Sequence, residues 1–112
     1  MKILGALILL IAFHSDAAAY NLELFKERIS NPATREYIEF YLTGVGNGYG
    51  NANARLEMKG EPLIYCQPRN LTLNPDNYIS LIQSIAERYD VNPNQDVAVL
   101  LLMALEQEFP CQ

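Results

Sequence analysis

Four glutamates and two cysteines are the residues of this chain whose types and spacing suit chemistry. Glu36 and Glu39 stand three apart and Glu57 and Glu61 four apart, so on a helix each pair would share a face. Paired carboxylates divide acid and base work when their surroundings separate their pKa values. On the polar side of an amphipathic helix, acids solvate instead, and that is the expectation for these four. Cys66 and Cys111 lack the Cys-x-x-Cys spacing that lowers a thiol pKa. Seven tyrosines complete the set. Tyr41, Tyr49, Tyr78 and Tyr89 fall on apolar helical faces and are expected in the core, where each hydroxyl needs a partner or a wet edge. Tyr37 and Tyr20 are the candidates for an exposed contact.

The single histidine is His14, and there is no tryptophan. His14 falls in a stretch laid out as a secretory signal: Met1-Lys2, an apolar run from Ile3 to Phe13, a polar break at His14-Ser15-Asp16, and Ala17-Ala18-Ala19 before Tyr20. The run is too short to cross a hydrocarbon core about 30 Å thick, which needs roughly 20 apolar residues. Residues 1–19 are therefore expected to be cleaved, leaving one domain, 20–112, with no integral membrane segment. Cleavage would remove the only histidine, which excludes Ser-His and Cys-His catalysis and histidine-ligated zinc. No enzyme, metal or cofactor is expected. In an exported chain the lone cysteine pair most simply forms a disulfide. It would close a loop of about 46 residues, stabilising the fold by about 4 kcal/mol in the chain-entropy picture.

The net charge of −5, with the Lys and Arg residues scattered, argues against nucleic acid and anionic membranes. It suits a basic protein surface, or simple solubility.

The elements that must position these residues are helical. Leu22, Phe25 and Ile29 predict a short helix over 21–30. Asn31-Pro32 is a cap with proline at the first helical position, and Ile38, Tyr41, Leu42, Val45, Tyr49, Ala52 and Leu56 keep one face apolar beyond it. Gly44, Gly46, Gly48 and Gly50 interrupt this face. Gly-Val-Gly-Asn-Gly-Tyr-Gly lacks the preceding strand and the third glycine of a dinucleotide loop, since position 51 is asparagine. Gly44 and Gly48 are expected to let another helix approach closely. A break in the helix near 46–50 is the alternative. Glu57–Pro62 reads as a polar turn containing Gly60, and Pro62–Pro68 as an extended segment, because proline at both ends excludes helix. Asn74-Pro75-Asp76 starts a third helix with Tyr78, Leu81, Ile82, Ile85 and Tyr89 as its apolar face. Asn92-Pro93 is expected to start a fourth, with Asn92 and Gln95 in capping-box relation. Val97–Leu105 is unbroken apolar sequence, expected to be buried on most sides as the central helix. The fold class is all-α, a small bundle of four helices, or five if the glycines divide the second, with one disulfide.

Three motifs carry a family resemblance: Phe40-Tyr41-Leu42-Thr43-Gly44-Val45 with Gly48 after it, Tyr65-Cys66-Gln67-Pro68, and Ala104-Leu105 through Phe109-Pro110-Cys111. Their order and spacing resemble the Rap/Tai family of bacterial type VI secretion immunity proteins, over roughly residues 37–111. The resemblance implies an all-α periplasmic protein that binds a secreted cell-wall hydrolase effector, typically a peptidoglycan amidase, and blocks its active site. Cys66 and Cys111 match the family's cysteine motifs. A second cysteine pair common in the family is missing from 21–42, and Asn47 stands where the family tends to carry an acid. A secreted location is the alternative to the periplasm. A stress-protective chaperone or small-ligand binder of the envelope is the alternative function.

The partner-binding surface is expected where polar loops sit on a rigid scaffold: Glu57, Lys59, Gly60 and Glu61 in the first turn, and Gln67, Arg69 and Asn70 after the extended segment. A homodimer through the glycine face of the second helix is left open.

Overall fold

A computed structural model describes residues 20–112. The leader read over 1–19 lies outside the described residues. Four helices follow one another, α1 (Leu22–Ile29), α2 (Pro32–Met58), α3 (Pro75–Arg88) and α4 (Val97–Glu108). α1 packs on α2 and α3 on α4, while α2 is long enough to touch α3 and α4 as well. None of the helices among the described residues is long and apolar enough to cross a membrane.

The caps explain where three of the helices begin. The side chains of Asn21, Asn31 and Asn74 accept from backbone N–H groups of the first turns of α1, α2 and α3, and Pro32 and Pro75 open α2 and α3. Asn74 and Asn77 form a reciprocal capping box. α2 stays helical through all four glycines, so the bundle has four helices and not five.

The start of α4 differs from expectation. Its cap is Asp96, whose carboxylate accepts from the Ala98 N–H at 2.8 Å, and Asn92 with Gln95 forms no capping box. Asn92 closes a turn instead, accepting from the backbone N–H groups of Asn94 and Gln95. The reason is non-local. The chain entering α1 lies against residues 93–97, with Leu22 N–H donating to Gln95 O, Glu23 N–H to Pro93 O and Val97 N–H to Tyr20 O at 2.9–3.0 Å. Helix cannot form where these backbone groups are already engaged.

The core joins Leu22 and Phe25 of α1, Ile38 and Leu42 of α2, Ile79, Ile82, Ile85 and Ala86 of α3, and Val97, Leu100, Leu101, Ala104 and Leu105 of α4. α4 is less enclosed than its apolar sequence suggests, because Val99 and Met103, four apart, reach solvent. Tyr41, Tyr49 and Tyr78 pack against the core as expected. Tyr89 does not. It is 54 % exposed, its hydroxyl donating to Gln107 Oε1. Tyr37 is exposed, whereas Tyr20 is half-buried, its ring edge-on to Tyr41 at 4.8 Å. The close approach expected at Gly44 and Gly48 occurs at neither: a β-carbon at either would meet nothing within 4 Å. Gly46 is the glycine against which a neighbour packs, and that neighbour is Tyr78 of α3.

Candidate functional site

The two polar segments singled out in the sequence meet at one end of α2. Gly60 ends the helix with a φ of 68°, a conformation that glycine adopts without steric cost. Glu61 N–H bonds back to Leu56 O and Gly60 N–H to Glu57 O, the paired closure of a Schellman stop. Gly60 thus has a local structural role, and it sets Lys59 and Glu61 on either side of the turn, 3.7 Å apart as an ion pair.

Beyond Pro62 the chain runs back along α2. Asn53, inside the helix, holds it there. Its Oδ1 accepts from Ile64 N–H and its Nδ2 donates to Tyr65 O, both at 2.8 Å. Tyr65 is 4 % exposed, anchoring the segment in the core. Cys66 N–H donates to Phe109 O at 2.7 Å, and Cys66 is disulfide-bonded to Cys111. The extended segment is thereby tied to α2 through one side-chain amide and to the end of α4 through a covalent bond. A turn follows, in which Leu71 N–H donates to Pro68 O and Gln67 Nε2 to Leu71 O.

This scaffold brings Arg69 across to Glu57, with Nη2 2.9 Å from Oε1. Both side chains are exposed, so the pair contributes about 0–1 kcal/mol at most. Its significance is placement, because Glu57, Gln67 and Arg69 form one rim. Lys59 and Glu61 lie at the adjoining turn, and Asn70 is exposed on the loop beyond Arg69. Three of the four glutamates in the two candidate pairs are engaged by separate cations, Glu39 by Arg35 at 3.1 Å, Glu57 by Arg69 and Glu61 by Lys59, and Glu36 is exposed. Among the described residues no group of three or more His, Cys, Asp or Glu side chains is placed to hold a metal ion.

A groove follows the flank of α2 between this rim and α3. Its nearer part, about 230 Å³, is lined by Gly50, Asn53, Glu57, Tyr65 and Arg69. The further part, about 540 Å³, adds Gly46, Asn47, Asn51, Thr72 and Tyr78. Gly50, Tyr65 and Gln67 belong to both. Burial pushes the phenols of Tyr65 and Tyr78 above their ordinary value, so these two groups stay neutral beside the charged Glu57 and Arg69.

No family model matches the chain, and no curated protein or solved structure is significantly similar to it.

Asn53, Tyr65 and the groove glycines carry this architecture, and none stood out in the sequence as a site residue. The alternation of Gly and Asn over 44–53 is the one signal for them. It is a poor one, because only the packing of residues 63–73 decides which side of α2 becomes a groove.

Proposed function

We propose that the mature chain is a periplasmic immunity-type protein that binds and neutralises a secreted, cell-wall-degrading, amidase-like effector. The observation that carries this reading is the convergence of Glu57, Gln67 and Arg69 on one exposed rim beside the disulfide. The motifs behind the Rap/Tai resemblance support it, since two of them, Tyr65–Pro68 and Phe109–Cys111, are the segments joined there.

The rim suits occlusion of a cleft. Its loops are held by hydrogen bonds, a helix stop and a covalent bond, so little conformational entropy remains to be lost on binding. Its charges are exposed and paired only weakly with each other, which lets a partner's charges compete for them. The net charge of −5 would speed encounter with a basic effector surface. Export to an oxidising compartment supplies the conditions for the disulfide.

Calorimetric titration of the mature protein against any cell-wall hydrolase found to be encoded by a neighbouring gene tests the proposal. Saturable binding is expected, weakened by charge reversal at Glu57, Lys59, Glu61 and Arg69 together. Binding unchanged by the four reversals would place the interface elsewhere, and no binding to any such hydrolase would overturn the reading.

A further inference from the structure

We infer that the outward face of α2 pairs, antiparallel, with the same face of a second copy of this chain, forming a twofold-symmetric dimer. The inference goes beyond the effector-binding reading and does not depend on it.

The three most exposed large apolar side chains among the described residues are Tyr37, Phe40 and Met58, at 61 %, 69 % and 78 %. The helical repeat sets them within about 60° of one another, on the side of α2 opposite the buried Ile38, Leu42 and Gly46. Single apolar residues scattered over a surface need no explanation, whereas a set gathered on one helix face marks a contact. Nothing in the fold covers this face.

Its charges favour an inverted copy of itself. Glu36 at the start of the face and Arg55 near its end are both exposed, and neither forms an ion pair among the described residues. An antiparallel copy brings each beside its opposite, at both ends of the contact. A parallel copy would set like beside like. Tyr37 and Arg55 stand about five turns apart on one line of the helix. With the twofold at the level midway between Gly44 and Gly48, the Tyr37 ring therefore meets the Arg55 guanidinium of the second copy, a cation–π contact. Met58 of that copy lies one turn further on and flanks the same ring. Phe40 comes level with Asn51 and Ala52, whose short side chains leave room for it, and Gly44 faces Gly48. Each contact occurs twice, as an isologous interface requires. Glu57 leaves the helix on its other side, toward Arg69, so both rims stay open. One helix face about 30 Å long is smaller than the roughly 800 Å² per partner of a standard interface, so dimer and monomer exchange.

Sedimentation equilibrium of the disulfide-bonded protein, residues 20–112, from about 1 μM to 1 mM tests the pairing. The variants are Phe40→Glu, Gly44→Leu, Arg55→Glu and the swap Glu36→Arg/Arg55→Glu, with Met103→Glu on the exposed side of α4 as control. The wild type is expected to dimerise within that range. Phe40→Glu and Gly44→Leu should weaken self-association by about tenfold or more. Gly44→Leu enters open space and raises helix propensity, so its thermal midpoint as a dilute monomer should not fall, which separates a lost interface from a lost fold. Arg55→Glu should weaken the dimer by about fivefold, the swap should restore it, and Met103→Glu should stay within about twofold. A wild type monomeric throughout, full dimerisation in Phe40→Glu and Gly44→Leu, or an equal loss in Met103→Glu would overturn the interface. A loss in Arg55→Glu that the swap does not restore would overturn the antiparallel pairing. No effector enters any of these measurements, so their failure leaves the effector-binding reading standing.

Discussion

The phenol ring of Tyr78 on α3 occupies the space that a side chain on Gly46 of α2 would need. A β-carbon at Gly46 would lie 2.5 Å from the Tyr78 ζ-carbon and hydroxyl oxygen. Gly46→Ala is therefore expected to destabilise the fold by about 1 kcal/mol, the cost of displacing a packed ring (about 1–3 kcal/mol) less the gain in helix propensity (up to about 1 kcal/mol). Gly50→Ala meets no such neighbour and is expected to stabilise by about 0.5–1 kcal/mol. Opposite shifts in urea midpoint for two glycines four apart would confirm the assignment. A stabilising Gly46→Ala would contradict it.

Asn53 is the bond between α2 and the extended segment. Asn53→Ala strands the Ile64 N–H and the Tyr65 C=O, and is expected to cost about 1–3 kcal/mol. The more specific readout is hydrogen exchange: the Ile64 amide should exchange faster in the variant than the helical amides around position 53. Unchanged protection at Ile64 would mean that another group holds the segment.

The Cys66–Cys111 disulfide is exposed on both sides, so mild reductant should reach it in the folded protein. Reduction, or Cys66→Ser with Cys111→Ser, is expected to cost about 4 kcal/mol in the chain-entropy picture, a large share of a small domain's total of about 5–15 kcal/mol. Denaturation with and without reductant measures it. Equal midpoints would show that the hydrogen bonds at Cys66 and Asn53 suffice alone.

Alkaline stability follows from the tyrosines. Burial raises the phenols of Tyr41, Tyr49, Tyr65 and Tyr78, and the Asp96 carboxylate adds to the effect at Tyr41 and Tyr49. A raised phenol means that the fold holds the neutral form. That stabilisation is complete below the unfolded value of about 10 and is lost as pH climbs through the higher folded values. The protein should thus lose stability steeply above pH 10. Tyr49, whose hydroxyl donates to Ala98 O at 2.6 Å, gives the control. Tyr49→Phe should lower stability at neutral pH by about 1 kcal/mol and make the alkaline decline shallower. An unchanged slope would place the ionisation elsewhere.

The boundaries of α2 and α3 were legible because asparagine caps and first-turn prolines act locally. The same signature at Asn92-Pro93 misled, because a segment more than 60 residues away in the chain competes for those backbone groups. A similar limit applies to the glycines. Gly44 and Gly48 share the four-residue spacing of Gly46 and Gly50, and the spacing alone does not tell which flank meets α3. Residues of the rim were legible as polar loops beside the cysteines. The groove was not, since Asn53, Tyr65 and Gln67 make it only after the chain has folded back along α2.

The central claim is neutralisation of a cell-wall hydrolase, and inhibition tests it most directly. The disulfide-bonded protein, residues 20–112, is titrated into any cell-wall hydrolase found to be encoded by a neighbouring gene while that enzyme digests purified peptidoglycan. The account predicts that activity falls in proportion to added protein and reaches zero near stoichiometry, with charge reversal at Glu57, Lys59, Glu61 and Arg69 restoring it. Full hydrolase activity in the presence of excess protein would contradict the account.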